Sequence, residues 1–349
     1  MNTTAGIDPA NEVYRLKRDN NIHRQNAMSF SCLGKLYPTD GSQLTKWRTC
    51  LHGLVRETMN GHNSVHPLII GLAESGIIPS ALFHQCLRYE GIRAQWVCST
   101  RRPSFGICFN ESHSHSPDHI LPLPSHHPSE LWFVEDEITT GRTVLFLALN
   151  LCRLMNVSRV RFFAIADSRS NANIVKFRNI LDEYSIVHST HALVRLEDNH
   201  EDTQTCLVSQ LEKGFDNKAV MSGSKPDSGW HFPDQRPALF NQLDFAMDLP
   251  DNLRGSLLVV GEAIDIGLKL VQMNPGLSFH HVTLSPWKID GRHIISRLDV
   301  NGNYYLYNYH NIKTPIFILN DPIDRHIGIE VENLLAEKGL SAERLTLKL

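Results

Sequence analysis

The chain has 349 residues, 42% of them hydrophobic, enough for about two domains with a core each. Its 34 basic and 37 acidic side chains nearly cancel, which gives no support for non-specific binding to nucleic acid or to a membrane surface. No apolar run approaches the roughly eighteen residues that a bilayer-spanning helix needs, so no membrane association is expected.

The N-terminal stretch MNTTAGIDPANEVYRLKRDN is polar and has no signal-peptide core. The seven cysteines are odd in number and form no CxxC pair, which argues against a disulfide framework or a structural zinc site. A cytoplasmic protein is expected.

Residues 1–60 are mostly polar around one apolar knot, SFSCLGKLYP (29–38). The β-branched run at 67–70 suits a buried strand, GLAESG is a tight turn, and 78–89 carries apolar residues at helical spacing with Gly91 placed to end the helix. QWVCST (95–100) reads as a strand. Residues 101–130 are polar and rich in His, Ser and Pro, and read as a long loop; loops of that length are usually functional or disordered. LWFV (131–134) is a strand, 142–155 an apolar helix, and VRFFAIAD (160–167) the next strand. This rhythm predicts an α/β fold, a parallel sheet flanked by helices.

From about residue 197 to 236 apolar periodicity fades, and a second, smaller α/β pattern follows. It has strand, turn and helix over 256–272, a strand at 279–287, and a hairpin at 295–309 with Asn301 and Gly302 at its turn. Strand, turn and helix recur over 315–339. The expected division is 20–197, a connection at 198–245, and 246–349. Three segments of the first half are echoed in order in the second: IIGLAESGIIPSAL by VVGEAIDIGLKL, VCSTRRPS by HVTLSPWK, and WFVEDEITTGRT by IFILNDPIDRHI. The second domain therefore reads as a degenerate copy of the first.

The segment LWFVEDEITTGRT raises the functional question. Open α/β sheets bind ligands at the carboxyl ends of their strands, where Glu135 and Asp136 stand. Thr139, Thr140, Gly141, Arg142 and Thr143 stand where a helix begins, with unpaired amides and a positive dipole end suited to a phosphate. Two adjacent carboxylates can accept hydrogen bonds from vicinal hydroxyls. Together they read as a site for a ribose 5-phosphate. An ordinary N-capped helix accounts for 139–143 but not for the two acids after a buried strand.

This stretch resembles the phosphoribosyl-pyrophosphate (PRPP) motif of type I phosphoribosyltransferases: four apolar residues, two acids, two further residues and a Thr–Gly loop. Glu137 departs from it, standing where the motif has an apolar residue. The resemblance implies a magnesium–PRPP enzyme that transfers a 5-phosphoribosyl group to a nucleobase-like acceptor and releases pyrophosphate. It also implies that the GLAESG loop (Ala73, Glu74, Ser75, Gly76) and the pair Arg101 and Arg102 grip pyrophosphate, with Gly71 and Gly76 free to adopt unusual dihedrals. Mg2+ is assigned to Asp136 and Glu137.

Over most of 25–325 the chain is similar to the phosphoribosyltransferases of tellurium-resistance (Ter) gene clusters, which carry a C-terminal TRSP domain. The similarity rests on FSCLGKLYP, STRR…FNESHSHSPDHILP and VVGEA…VTLSPW. The namesake Thr-Arg-Ser-Pro reads Thr283-Leu284-Ser285-Pro286 here, which implies an altered second site. Asp321 stands near an acid-pair position, but Asn320 and Pro322 break the pattern.

The segment 110–127 holds Glu111, His113, His115, His119, His126 and His127. The resemblance implies a cover for the reaction centre, with Glu111 and His113 among the catalytic residues and His115 beside them; a metal site and a plain solvated loop are the alternatives. The acceptor is open between orotate-like, purine-like and unusual heterocyclic bases. A homodimer is one expected assembly. A non-catalytic PRPP sensor of the same fold is the competing reading, although the chain shows no basic face or helix-turn-helix.

Overall fold

Both strand–turn–helix rhythms fold into five-stranded sheets in the computed structural model, which describes residues 8–19, 26–59, 65–101, 106–110, 118–124, 127–196, 221–222, 253–320 and 324–346. The elements run β1 (Val13–Lys17), β2 (Asn26–Phe30), β3 (Thr39–Asp40), α1 (Gly41–Met59), β4 (Pro67–Gly71), α2 (Ile77–Tyr89) and β5 (Gln95–Cys98). Next come β6 (Gly106–Asn110), β7 (Asp118–Pro122), β8 (Glu130–Ile138), α3 (Arg142–Met155), β9 (Arg159–Asp167), α4 (Asn171–Glu183), β10 (Val187–Arg195) and β11 (Met221–Ser222). The second α/β pattern gives β12 (Arg254–Val260), α5 (Ile264–Met273), β13 (Gly276–Val282), β14 (Arg297–Val300), β15 (Tyr304–Tyr307), β16 (Ile316–Asn320), α6 (Arg325–Glu337) and β17 (Ala342–Thr346).

Two compact units divide the chain, residues 50–234 and residues 1–49 with 235–349. The segment 20–49, expected with the first domain, falls in the unit of the C-terminal sheet. There β3 pairs antiparallel with β13.

In the unit 50–234 the sheet order is β10-β9-β8-β4-β5, all parallel. Every residue of β4 and the first six of β8 are buried, as expected of parallel strands covered on both faces. Leu68, Ile70, Leu131, Phe133, Phe162, Leu145 and Phe177 form one core on one face. On the other, Phe83 of α2 packs on Trp132 and Phe163, with ring centroids 6.1 and 4.5 Å away. Buried Glu130 anchors the start of β8 through Arg159, Arg161 and the Trp132 indole. Burial raises its pKa, but these bonds outweigh that and hold it below the usual carboxylate value.

Two expectations are overturned. The strand expected at 131–134 runs on to Ile138, because the ladder with β9 continues to Ile138 and Asp167; the acids are part of the strand. The long loop expected at 101–130 contains an antiparallel hairpin, β6 with β7, whose apolar residues Ile107, Phe109 and Leu121 are buried.

The C-terminal sheet has the order β17-β16-β12-β13-β3. Its four parallel strands repeat the order β9-β8-β4-β5, and each sheet carries a hairpin between its second and third core strands. The register corresponds too. Gly71 faces Cys98 as Val259 faces His281. Thr100 bridges Ile120 of β7 as Thr283 bridges Tyr305 of β15. Asn320 then stands where Glu135 stands.

Candidate active site

Strand order reverses direction between β4 and β8, the position where open α/β sheets receive ligands at their carboxyl ends. The loop 72–76 leaves β4 there and the acids end β8 there. Glu135 is 7% exposed and Asp136 and Glu137 are partly buried. The Leu72 amide donates to Glu135 Oε1 at 3.0 Å, tying the loop to the acid. The Asp136 Oδ1 accepts the Glu137 amide at 2.8 Å.

The loop is fixed from several sides. The Ala73 amide donates to Ser99 Oγ at 2.8 Å, and Arg101 Nη2 donates to the Ala73 carbonyl at 3.4 Å. The Gly76 amide donates to the Leu72 carbonyl at 2.8 Å. Glu74 is buried, and the Ala73–Glu74 peptide is cis.

The expected reason for the two glycines is corrected. Neither has a positive φ; Gly76 lies at φ −77°. Space demands them instead. A Cβ on Gly71 would lie 2.2 Å from Ser80 Oγ, and one on Gly76 would lie 2.8 Å from Glu135 Oε1.

After β8 the turn 139–143 leads into α3. Gly141 caps this helix with φ +77°, a left-handed conformation that favours glycine, and the Thr140 hydroxyl accepts the Arg142 amide at 3.3 Å. A Cβ on Gly141 would meet the Phe177 ring at 2.8 Å. Phe177 in turn lies under the Arg169 guanidinium, 4.6 Å from the ring centroid. Arg169 grips Asp167 at the end of β9 with two bonds of 2.9 Å, and Arg195 adds a third contact at 3.0 Å. Burial pushes the Asp167 carboxyl up, but Arg169 and then Arg195 outweigh it, and its pKa lies below the ordinary value.

The structure thus brings Glu135, Asp136, Glu137, Ala73, Glu74, Ser75, Gly76, Arg101 and the turn 139–143 to neighbouring strand ends and loops of one sheet. Arg102, Glu111, His113, His115, His126 and Asp321 lie outside the described residues. No group of three or more His, Cys, Asp or Glu among the described residues is arranged to hold a metal ion. Sequence reasoning missed Ser99, Asp167, Arg169, Arg195 and Phe177. The motifs DSR after β9 and CST after β5 lie at strand ends, and that position was the available signal.

A family model described as phosphoribosyl transferase matches residues 16–197, just over half of the chain. The chain belongs to this family. As a phosphoribosyltransferase it is an enzyme of PRPP-dependent base phosphoribosylation, in agreement with the type I motif.

Solved phosphoribosyltransferases are similar to it at low identity. The Giardia lamblia adenine phosphoribosyltransferase complexed with 9-deazaadenine is 12% identical, covers 55% of this chain and 97% of its own, and has a TM-score of 0.38. The Trypanosoma brucei adenine enzyme, in complex with AMP, pyrophosphate and ribose-5-phosphate, is 10% identical, covering 59% and 89% with a TM-score of 0.37. The Trypanosoma cruzi hypoxanthine enzyme with IMP is 12% identical, covering 48% and 83% with a TM-score of 0.29. The base named for each belongs to that protein. A search among curated proteins gives no match. No helix among the described residues of this phosphoribosyltransferase is long and apolar enough to cross a membrane.

Proposed function

We propose that this phosphoribosyltransferase uses magnesium PRPP to place a 5-phosphoribosyl group on a nitrogenous base, orotate-like or an unusual heterocycle, releasing pyrophosphate. The observation that carries this reading is the meeting of loop 72–76 with Glu135 at the switch point, on the strand whose end leads into the helix-capping turn 139–143.

In this reading Glu135 and Asp136 accept the ribose hydroxyls, the turn 139–143 takes the 5-phosphate, and the loop 72–76 with Arg101 and Arg102 takes pyrophosphate. As the C1–oxygen bond to pyrophosphate breaks and the acceptor nitrogen bonds to C1, positive charge develops on the ribose. The carboxylates favour that charge, and arginine favours the departing anion. No protein nucleophile takes part. Glu111 and His113 keep the covering role that the family resemblance implies.

The carboxylate donors suit magnesium, which prefers oxygen ligands and commonly takes one or two carboxylates with substrate phosphates. Asp136 and Glu137 would supply those carboxylates. When bound, the ion neutralises charge on the pyrophosphate oxygens.

The C-terminal sheet supports a duplicated core that has kept its strand order and lost its phosphate turn, as a TRSP-like accessory unit of a Ter-type cytoplasmic enzyme. Incubation with magnesium, PRPP and a panel of bases tests the activity. Pyrophosphate release that needs one base class is expected, and its absence with every base would refute the transfer.

A further inference from the structure

We infer that Ser99 and His119 are positioning residues that set the shape of the pyrophosphate loop. The inference rests on the proposed role of loop 72–76. Ser99 follows β5 and is 1% exposed; its Oγ accepts the Ala73 amide at 2.8 Å. His119 of β7 is also 1% exposed, and its Nδ1 lies 3.4 Å from the same Oγ. A serine hydroxyl has one proton to give and can accept two. With the Ala73 amide donating to it, the hydroxyl makes its second hydrogen bond with His119 Nδ1, and the imidazole tautomer sets which of the two donates.

The histidine ring is itself held, stacked on Phe109 with centroids 5.1 Å apart. Thr100 and Ile120 exchange both backbone bonds at 2.8 Å, which fixes the end of β5 against β7 and brings Ser99 to His119. The backbone of Ala73 is thereby held on both sides, its amide by Ser99 and its carbonyl by Arg101.

The C-terminal unit supplies an internal contrast. Its Thr283 and Tyr305 exchange the same two bonds, at 3.0 and 2.7 Å. The residues in the places of Ser99 and His119 are Val282 and Tyr304. The strand-to-hairpin bridge thus forms without a serine and histidine beside it. The polar pair accompanies the unit that has the GLAESG loop, so its task belongs to the loop and not to the framework.

Removing the hydroxyl orphans a buried amide, and the loop must turn to find another acceptor. The test is calorimetric titration of the full-length protein with magnesium pyrophosphate and, separately, with ribose 5-phosphate. Ser99→Ala should weaken pyrophosphate about tenfold and leave ribose 5-phosphate within about twofold. Ser99→Thr, which keeps the hydroxyl, should recover most of the loss. His119→Phe, which keeps the stacking, should shift pyrophosphate the same way by a smaller factor. Equal pyrophosphate binding by Ser99→Ala and wild type overturns the inference alone, as does an equal loss of both ligands. Failure of the wild-type protein to bind magnesium pyrophosphate overturns the inference together with the assignment of the loop.

Discussion

The Leu72 amide donates to Glu135 Oε1 at 3.0 Å, so the acid that would hold a ribose hydroxyl also holds the start of the pyrophosphate loop. Glu135 and Asp136, neighbours in sequence, are therefore not equivalent. Glu135→Ala leaves the buried Leu72 amide unpaired, at roughly 1–3 kcal/mol. For a unit of this size that lowers the melting temperature by several degrees, at about 2–4 °C per kcal/mol. Asp136→Asn leaves that bond untouched and should melt like wild type. Both should cut PRPP-dependent pyrophosphate release by about 100-fold or more. Matched melting curves for the two variants would show that Glu135 has no structural duty, and wild-type turnover in the double variant would refute the whole assignment.

How much of this was legible in the sequence follows from how local each feature is. The strand ends, the turn 139–143 and the helix behind it are contiguous, and their chemistry stands in thirteen consecutive letters from Leu131 to Thr143. The hairpin β14–β15 was legible for the same reason: Asn301 and Gly302 both take positive φ, as its turn requires. The extension of β8 through the acids was not, because it depends on pairing with β9. Ser99 and Ala73 are 26 residues apart, and nothing in either local stretch announces their bond. The glycines of GLAESG were noticed for the wrong reason, since what excludes a side chain there is Ser80 and Glu135, which only the folded chain brings close.

Gly141 combines two constraints. Its φ of +77° disfavours any side chain, at roughly 1–2 kcal/mol, and a Cβ would lie 2.8 Å from Phe177. Gly141→Ala should destabilise the protein by about 2–4 kcal/mol once overlap is included. It should also raise the KM for PRPP more than tenfold by shifting the turn. Adding Phe177→Leu, which clears space, should recover part of the KM effect while the φ penalty stays. A Gly141→Ala enzyme with normal KM would show that the turn does not hold the 5-phosphate.

Asp167, Arg169 and Phe177 form a support beneath that turn. Arg169 holds Asp167 with two bonds of 2.9 Å and lies over the Phe177 ring. The Asp167 pKa is raised by burial but lowered further by Arg169 and Arg195, ending below its unfolded value of about 3.9. A carboxylate with a depressed folded pKa contributes stability that is complete above the unfolded value and is lost as pH falls through the folded one. Asp167→Asn should therefore melt well below wild type at pH 7, and the gap should close below about pH 4. A gap independent of pH would show that the charge on Asp167 contributes nothing.

His280 makes the opposite use of burial. It is fully buried in β13, and neither ring nitrogen has a hydrogen-bond partner among the described residues. Burial, with a smaller contribution from His281, pushes its pKa down from 6.5 to about 3. The ring stays neutral in the fold, while the unfolded chain takes up a proton below about pH 6.5. Stability is thus lost as pH falls from 6.5 toward 3, by roughly 1.4 kcal/mol per pH unit from this one group. Its orphaned nitrogens also cost free energy at neutral pH. His280→Leu should raise the melting temperature at pH 7, and raise it further at pH 5, where the added gain is about 2 kcal/mol. Thermal melts of the full chain at the two pH values check this. A variant that melts at or below wild type at both would show that the imidazole has a partner that stabilises it in the folded protein.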